Sequence, residues 1–78
     1  MDAYRPQWSD IRIAIQSSSY AQDTLLNACE RLLAGARFLC KDPCPVAHEL
    51  LARDCRQVVA ALEWLEAEGR RLRERAAS

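Results

Sequence analysis

Apolar residues recur along most of this chain at the spacing of helices. Leu25, Leu32 and Leu39 are seven apart, and Cys29 and Ala36 fall four after the first two, which makes one continuous stripe. Leu26 and Leu33 lie beside that stripe and widen it. Ser19 and Gln22 have the spacing of a capping box, so a first helix is predicted over about 19–40. Gly35 costs about 1 kcal/mol relative to Ala inside a helix, and close approach of another backbone is the reading that keeps it there. Lys41-Asp42-Pro43-Cys44-Pro45 is read as a turn, because proline disfavours helical geometry in the residue before it. Proline also suits the first helical position, so a second helix is predicted over about 45–75. Within it Leu51, Val58, Leu65 and Leu72 repeat by seven, and Cys55, Leu62 and Gly69 fall four after the first three. Val59, Ala61 and Trp64 lie off that stripe. A connection this short sets the two helices antiparallel.

The first 18 residues read differently. Residues 1–6 are expected to be an unstructured lead-in, since terminal segments order only when tied down. Ile11, Ile13 and Ile15 then alternate with Arg12, Ala14 and Gln16, a period of two in β-branched residues that predicts a short strand over 10–16. Ile11, Ala14 and Ile15 also sit at helical spacing, with Ser9 as a cap, so a helix is the alternative. A lone strand would need a partner edge for its backbone groups. The fold expected is therefore all-α: an N-terminal extended arm over 1–18 and an antiparallel two-helix hairpin over 19–78.

Two helices bury one stripe each against one another. Leu26, Leu33, Val59 and Trp64 would then face water, more apolar surface than a small monomer usually exposes. Pairing of two hairpins into a dimeric four-helix bundle would cover them. These four residues are the expected partner or dimer interface, with Trp64 as anchor, since large aromatics dominate binding hot spots.

Length and charge narrow the function. At 78 residues the chain is one domain, whose core supplies roughly 3–5 kcal/mol of net stability. Eleven basic and eleven acidic residues leave no net charge, so nucleic acid is not the expected partner. No apolar run reaches the ~18 residues of a membrane span, and the start MDAYRPQWSD lacks the basic and apolar regions of a signal peptide. A cytoplasmic location is expected, and with it four cysteines that are mostly thiols.

Those cysteines are nonetheless arranged symmetrically. Ten residues separate Cys29 from Cys40 and Cys44 from Cys55, mirrored about Asp42. Folding at the turn would bring Cys29 toward Cys55 and Cys40 toward Cys44, which opens a redox or metal-carrier alternative using disulfides. The main reading keeps Cys29 and Cys55 as small buried members of the stripes. Cys40, Cys44 and His48 are four apart, but prolines interrupt them and the spacing matches no common zinc site, so no metal is expected. With His48 the sole histidine and no pocket foreseen, neither catalysis nor a cofactor is expected. The two isolated glycines make no phosphate loop. Arg70, Arg71, Arg73 and Arg75 are a candidate contact for an anion or an acidic partner, or a solvated helix end.

The run D-T-L-L-N-A-C-E-R-L-L-A-G-A-R-F-L, followed by A-R-D-C-R-Q-V-V-A-A-L-E-W-L, resembles an uncharacterised family of short proteobacterial proteins over roughly residues 11 to 73. Those have a brief extended segment, a helix of the form D-x-L-x-x-A-x-x-L-L-x-x-A, a short turn and a second amphipathic helix. The resemblance implies an architecture and no activity; the Cys-Pro turn departs from it. The cysteine pairs resemble the twin C-x9-C coiled-coil-helix proteins of the mitochondrial intermembrane space, with one residue more in each motif. In size and design the chain is also similar to short phage-borne inhibitors of bacterial regulators. The function expected is a non-enzymatic protein–protein interaction module, a small bacterial or phage-borne regulator or inhibitor, working as a homodimer.

Overall fold

The computed structural model describes residues 4–77, and every regular element among them is a helix: α1 (Trp8–Ser17), α2 (Ser19–Lys41) and α3 (Pro45–Ala77). The fold is all-helical, with three helices where the sequence pattern marks two. Residues 42–44 form the turn between α2 and α3, where the Asp42 N–H donates to the Phe38 carbonyl at 2.9 Å and Cys44 to Asp42 at 2.8 Å. The two long helices run antiparallel. Gly35 lies against Asp54 toward the turn, and Tyr20 meets Trp64 toward the other end.

The seam between them is centred one position away from the predicted stripes. Ala21, Ala28 and Gly35 are seven apart on α2, with Leu25, Leu32 and Leu39 each four further on; Ala47, Asp54 and Ala61 are seven apart on α3, with Leu51, Val58 and Leu65 each four further on. The alanines are the buried members on both helices and most of the leucines are half-buried. Small side chains at the closest approach let the helices pack tightly, and the leucines flank them. Cys29 and Cys55, expected on this seam, are both exposed. Asp54 is the seam residue that hydrophobicity disguises: it is 8% exposed, and Gly35 leaves room for its carboxylate.

The predicted strand over 10–16 is a helix. Asp10, Ile11 and Ala14 share its buried face, a helical spacing, and they are covered by α3 rather than by a neighbouring strand. The N-cap position is Gln7, whose carbonyl accepts from the N–H groups of Asp10 and Ile11, so Ser9 is not the cap. The helix ends at Ser18, the one extended residue between α1 and α2 (φ −152°, ψ 126°). Ser18, not Ser19, caps α2: its hydroxyl accepts from the Ala21 N–H at 3.3 Å. Gln22, the other half of the expected capping box, donates instead to the Ile15 carbonyl at 3.0 Å and so closes the end of α1.

α1 docks on the C-terminal half of α3 in backbone contact. A Cβ on Gly69 would fall 1.7 Å from the carbonyl oxygen of Asp10, which glycine alone permits. Ile11, Ala14 and Ala21 close around Leu65, which is fully buried where the three helices meet, and Ile15, Leu25 and Leu62 pack against this core.

Residues 1–3 of the expected lead-in lie outside the described residues, as does Ser78. From Tyr4 onward the lead-in is tied down. The Tyr4 hydroxyl donates to the Glu66 carboxylate, and the Gln7 N–H donates to the same oxygen at 2.9 Å. Desolvation, then the hydrogen bond to Glu66 and the charges of Glu66 and Glu63, push the Tyr4 phenol from 10.0 up to about 12. The Tyr4 and Gln7 donors hold Glu66 below its ordinary value. A raised phenol pKa stabilises the fold fully below pH 10.0, and that contribution is lost as pH rises through about 12. The depressed Glu66 acts in the opposite sense, so its contribution is lost as pH falls through its folded value. The expected result is a tyrosinate absorbance step near pH 12 that Tyr4→Phe abolishes. A Tyr4 titration centred at 10.0 would show that the tie does not form.

The molecule is flat and elongated, 52 × 32 × 13 Å. Its radius of gyration is 15.0 Å, against about 11.5 Å for a compact chain of this length. Among the described residues, no helix is long and apolar enough to cross a membrane.

Candidate interaction surface

The hairpin presents two faces, and their composition follows from the seam. Residues one position before each seam residue point to one side. Two hollows on that side, of about 450 and 310 Å³, are lined jointly by such residues from both helices: Asn27, Arg31 and Phe38 of α2 with Leu50, Arg53 and Ala60 of α3. Tyr20 and Trp64 close one end of it, their rings edge-to-face with centroids 5.7 Å apart and planes at 82°. This face mixes aromatic groups with two guanidinium groups and the Asp23 carboxylate.

The four expected interface residues divide between faces. Trp64 is 38% exposed and belongs with Tyr20 on the arginine-bearing side. Leu26 and Leu33 are 56% and 50% exposed on the other side of α2, and Val59 is half-buried. Tyr20, Phe38, Val46 and Leu50 are exposed apolar residues that the heptad pattern does not single out. Each immediately precedes a seam position, and that relation becomes visible once the seam is centred on the alanines.

One of the C-terminal arginines, Arg73, reaches across to α1, while Arg70 and Arg71 act on glutamates of α3 itself. Arg73 Nε lies 3.5 Å from Asp10 Oδ1, and Arg71 pairs with Glu68 at 2.5 Å. Arg70 contributes its charge to the lowering of Glu66, and Arg75 also has a partner within the chain. The Arg73 pair matters most, because Asp10 is 4% exposed and its Oδ1 makes no hydrogen bond. Its charge is balanced by Arg73 and by its place in the first turn of α1, where the helix dipole favours an anion.

All four cysteines are free thiols; Cys29, Cys40 and Cys55 are exposed and Cys44 is half-buried. His48 is exposed at the start of α3. Among the described residues, no group of three or more His, Cys, Asp or Glu is placed to hold a metal ion. No family model, curated protein or solved structure matches the chain.

The surface as a whole is large. The chain exposes 5927 Å². A compact monomer of 8.8 kDa exposes about 4,800 Å², an excess of roughly 1,100 Å².

Proposed function

We propose that this chain is a non-enzymatic protein–protein interaction module that works as a homodimer, the hairpins of two copies packing into a four-helix bundle. The excess surface carries this reading. A stable interface removes about 800 Å² from each partner, and the excess here is of that size or larger. Among the described residues, eight large apolar side chains are exposed, Leu26, Leu33, Phe38 and Trp64 with them, and the hydrophobic core is mostly alanine. A helical surface of this kind suits a small regulator or inhibitor that binds another protein. Four free thiols fit a reducing compartment, the cytoplasm.

Sedimentation equilibrium of the full chain tests the reading. A mass of twice the 8.8 kDa chain, falling toward one on dilution, is expected. A mass of one chain at every concentration would remove the homodimer.

A further inference from the structure

We infer that two copies meet through the thiol-bearing face of the hairpin, opposite the face that carries Arg31, Arg53 and Trp64. This rests on the homodimer reading and says which surface it uses.

Each long helix carries a second stripe, displaced by one residue from its seam. On α2 it runs Leu26, Cys29, Leu33, Ala36, Cys40; on α3 it runs Ala52, Cys55, Val59, Leu62. The steps alternate three and four residues, as in the seam itself, so each stripe is straight along its helix. A displacement of one residue is a rotation of about 100°. Residues one before the seam are seen to line shared hollows from both helices. Residues one after it therefore share the opposite face. A helix with two adjacent apolar stripes has the pattern of a four-helix bundle, in which every helix packs against two neighbours. Within one copy only the seam stripe has a helical partner along the full hairpin; α1 covers the second stripe at its Leu62 end and leaves the rest open.

Charge selects a second copy as the occupant. In a two-fold interface a surface meets its own image, so a charge near the axis meets an equal charge. The stripe positions from Leu26 to Cys40 and from Ala52 to Leu62 carry no charge, and the charges that border Cys55 and Val59, Arg56 and Glu63, are of opposite sign. The opposite face carries Arg31, Arg53 and Asp23 around its hollows, charges that would have to be desolvated at an interface centre. Charge depletion is also the mark of an interface centre. The chain as a whole exposes enough excess surface for one partner of a stable dimer, and Leu26 and Leu33 are its exposed large apolar side chains on this face. The next α3 position in the series, Glu66, is already held by Tyr4 and Gln7, which marks one end of the open face.

Cys29, Cys40 and Cys55 are exposed in the single chain and lie on these stripes, so they report the contact directly. The experiment compares full-length wild type, Leu33→Glu and Trp64→Ala by sedimentation, circular dichroism and per-residue alkylation with iodoacetamide. The expected result has three parts. Wild type and Trp64→Ala have the mass of two chains. Leu33→Glu falls to the mass of one with its helicity intact. Cys29, Cys40 and Cys55 are alkylated slowly in the wild-type dimer and rapidly in the Leu33→Glu monomer. If Leu33→Glu fails to fold, Cys55→Glu replaces it, a change at an exposed position. A dimer that survives Leu33→Glu, or one that Trp64→Ala dissolves while the three thiols stay reactive, overturns the assignment of this face and leaves the homodimer standing. A wild-type monomer overturns the homodimer and this face with it.

Discussion

Gly69→Ala is expected to detach α1 from α3. The new Cβ would stand 1.7 Å from the Asp10 carbonyl oxygen and 2.4 Å from its carbon. Both are backbone atoms, so no rotamer change relieves the clash. Overpacking of this kind costs about 3 kcal/mol, against which alanine regains about 1 kcal/mol of helix propensity. A net loss of about 2 kcal/mol is large beside a total of roughly 3–5 kcal/mol for a chain this size. The loss falls on α1 first, because α2 and α3 pack through their own seam. Backbone amides over 10–16 should exchange faster while most helicity persists, and the Tyr4 titration should move back toward 10.0. Gly35→Ala is the control. Its Cβ would meet Asp54 Oδ2 at 2.9 Å, the far end of a side chain that can turn aside, so that variant should be near wild type. Equal stability and equal α1 protection in Gly69→Ala and wild type would refute the contact.

Leu65→Ala should be the most damaging truncation in the chain. Leu65 is 0% exposed and is the large side chain around which Ile11, Ala14 and Ala21 close. Removing a buried leucine side chain costs roughly 2–5 kcal/mol, depending on how far the site collapses. That is comparable with the whole stability expected of a domain this small. Urea titration should therefore show a broad or absent unfolding transition. Leu72→Ala, at a half-buried position nearer the end of α3, should cost far less. A Leu65→Ala midpoint within error of Leu72→Ala would mean that the three helices do not converge there.

The two long helices could be read from the chain because their signals are local. The Pro-Cys-Pro turn breaks the backbone pattern in place, and heptads of leucine persist on both sides of it. The seam was harder. Hydrophobicity ranks Cys29 and Cys55 above Ala28 and Asp54, so a stripe drawn by apolarity alone is rotated by one residue. Closest approach instead selects for small side chains, and the repeats Ala21, Ala28, Gly35 and Ala47, Asp54, Ala61 were present to be counted. α1 departs from the strand pattern for a different reason. Three isoleucines in alternation fit a strand as written, whereas burial by α3 favours the face with Asp10, Ile11 and Ala14. That choice is made by α3 through Gly69, 59 positions from Asp10, whereas the local pattern offers the helical spacing of Ile11, Ala14 and Ile15 only as an alternative to the strand. The role of Arg73 was hidden likewise, since its partner Asp10 lies at the opposite end of the chain. Among the expected interface residues, Leu26, Leu33 and Val59 share a side by helical phase, while the ring of Trp64 turns to Tyr20.

The outline of the molecule has a hydrodynamic consequence. A compact protein with a radius of gyration of 15.0 Å has about 156 residues, twice this chain. A lone copy should thus diffuse more slowly, and elute earlier from a gel matrix, than a compact protein of its own mass. Stokes radius and true mass come apart for this chain, and a single copy has the dimensions of a globular pair.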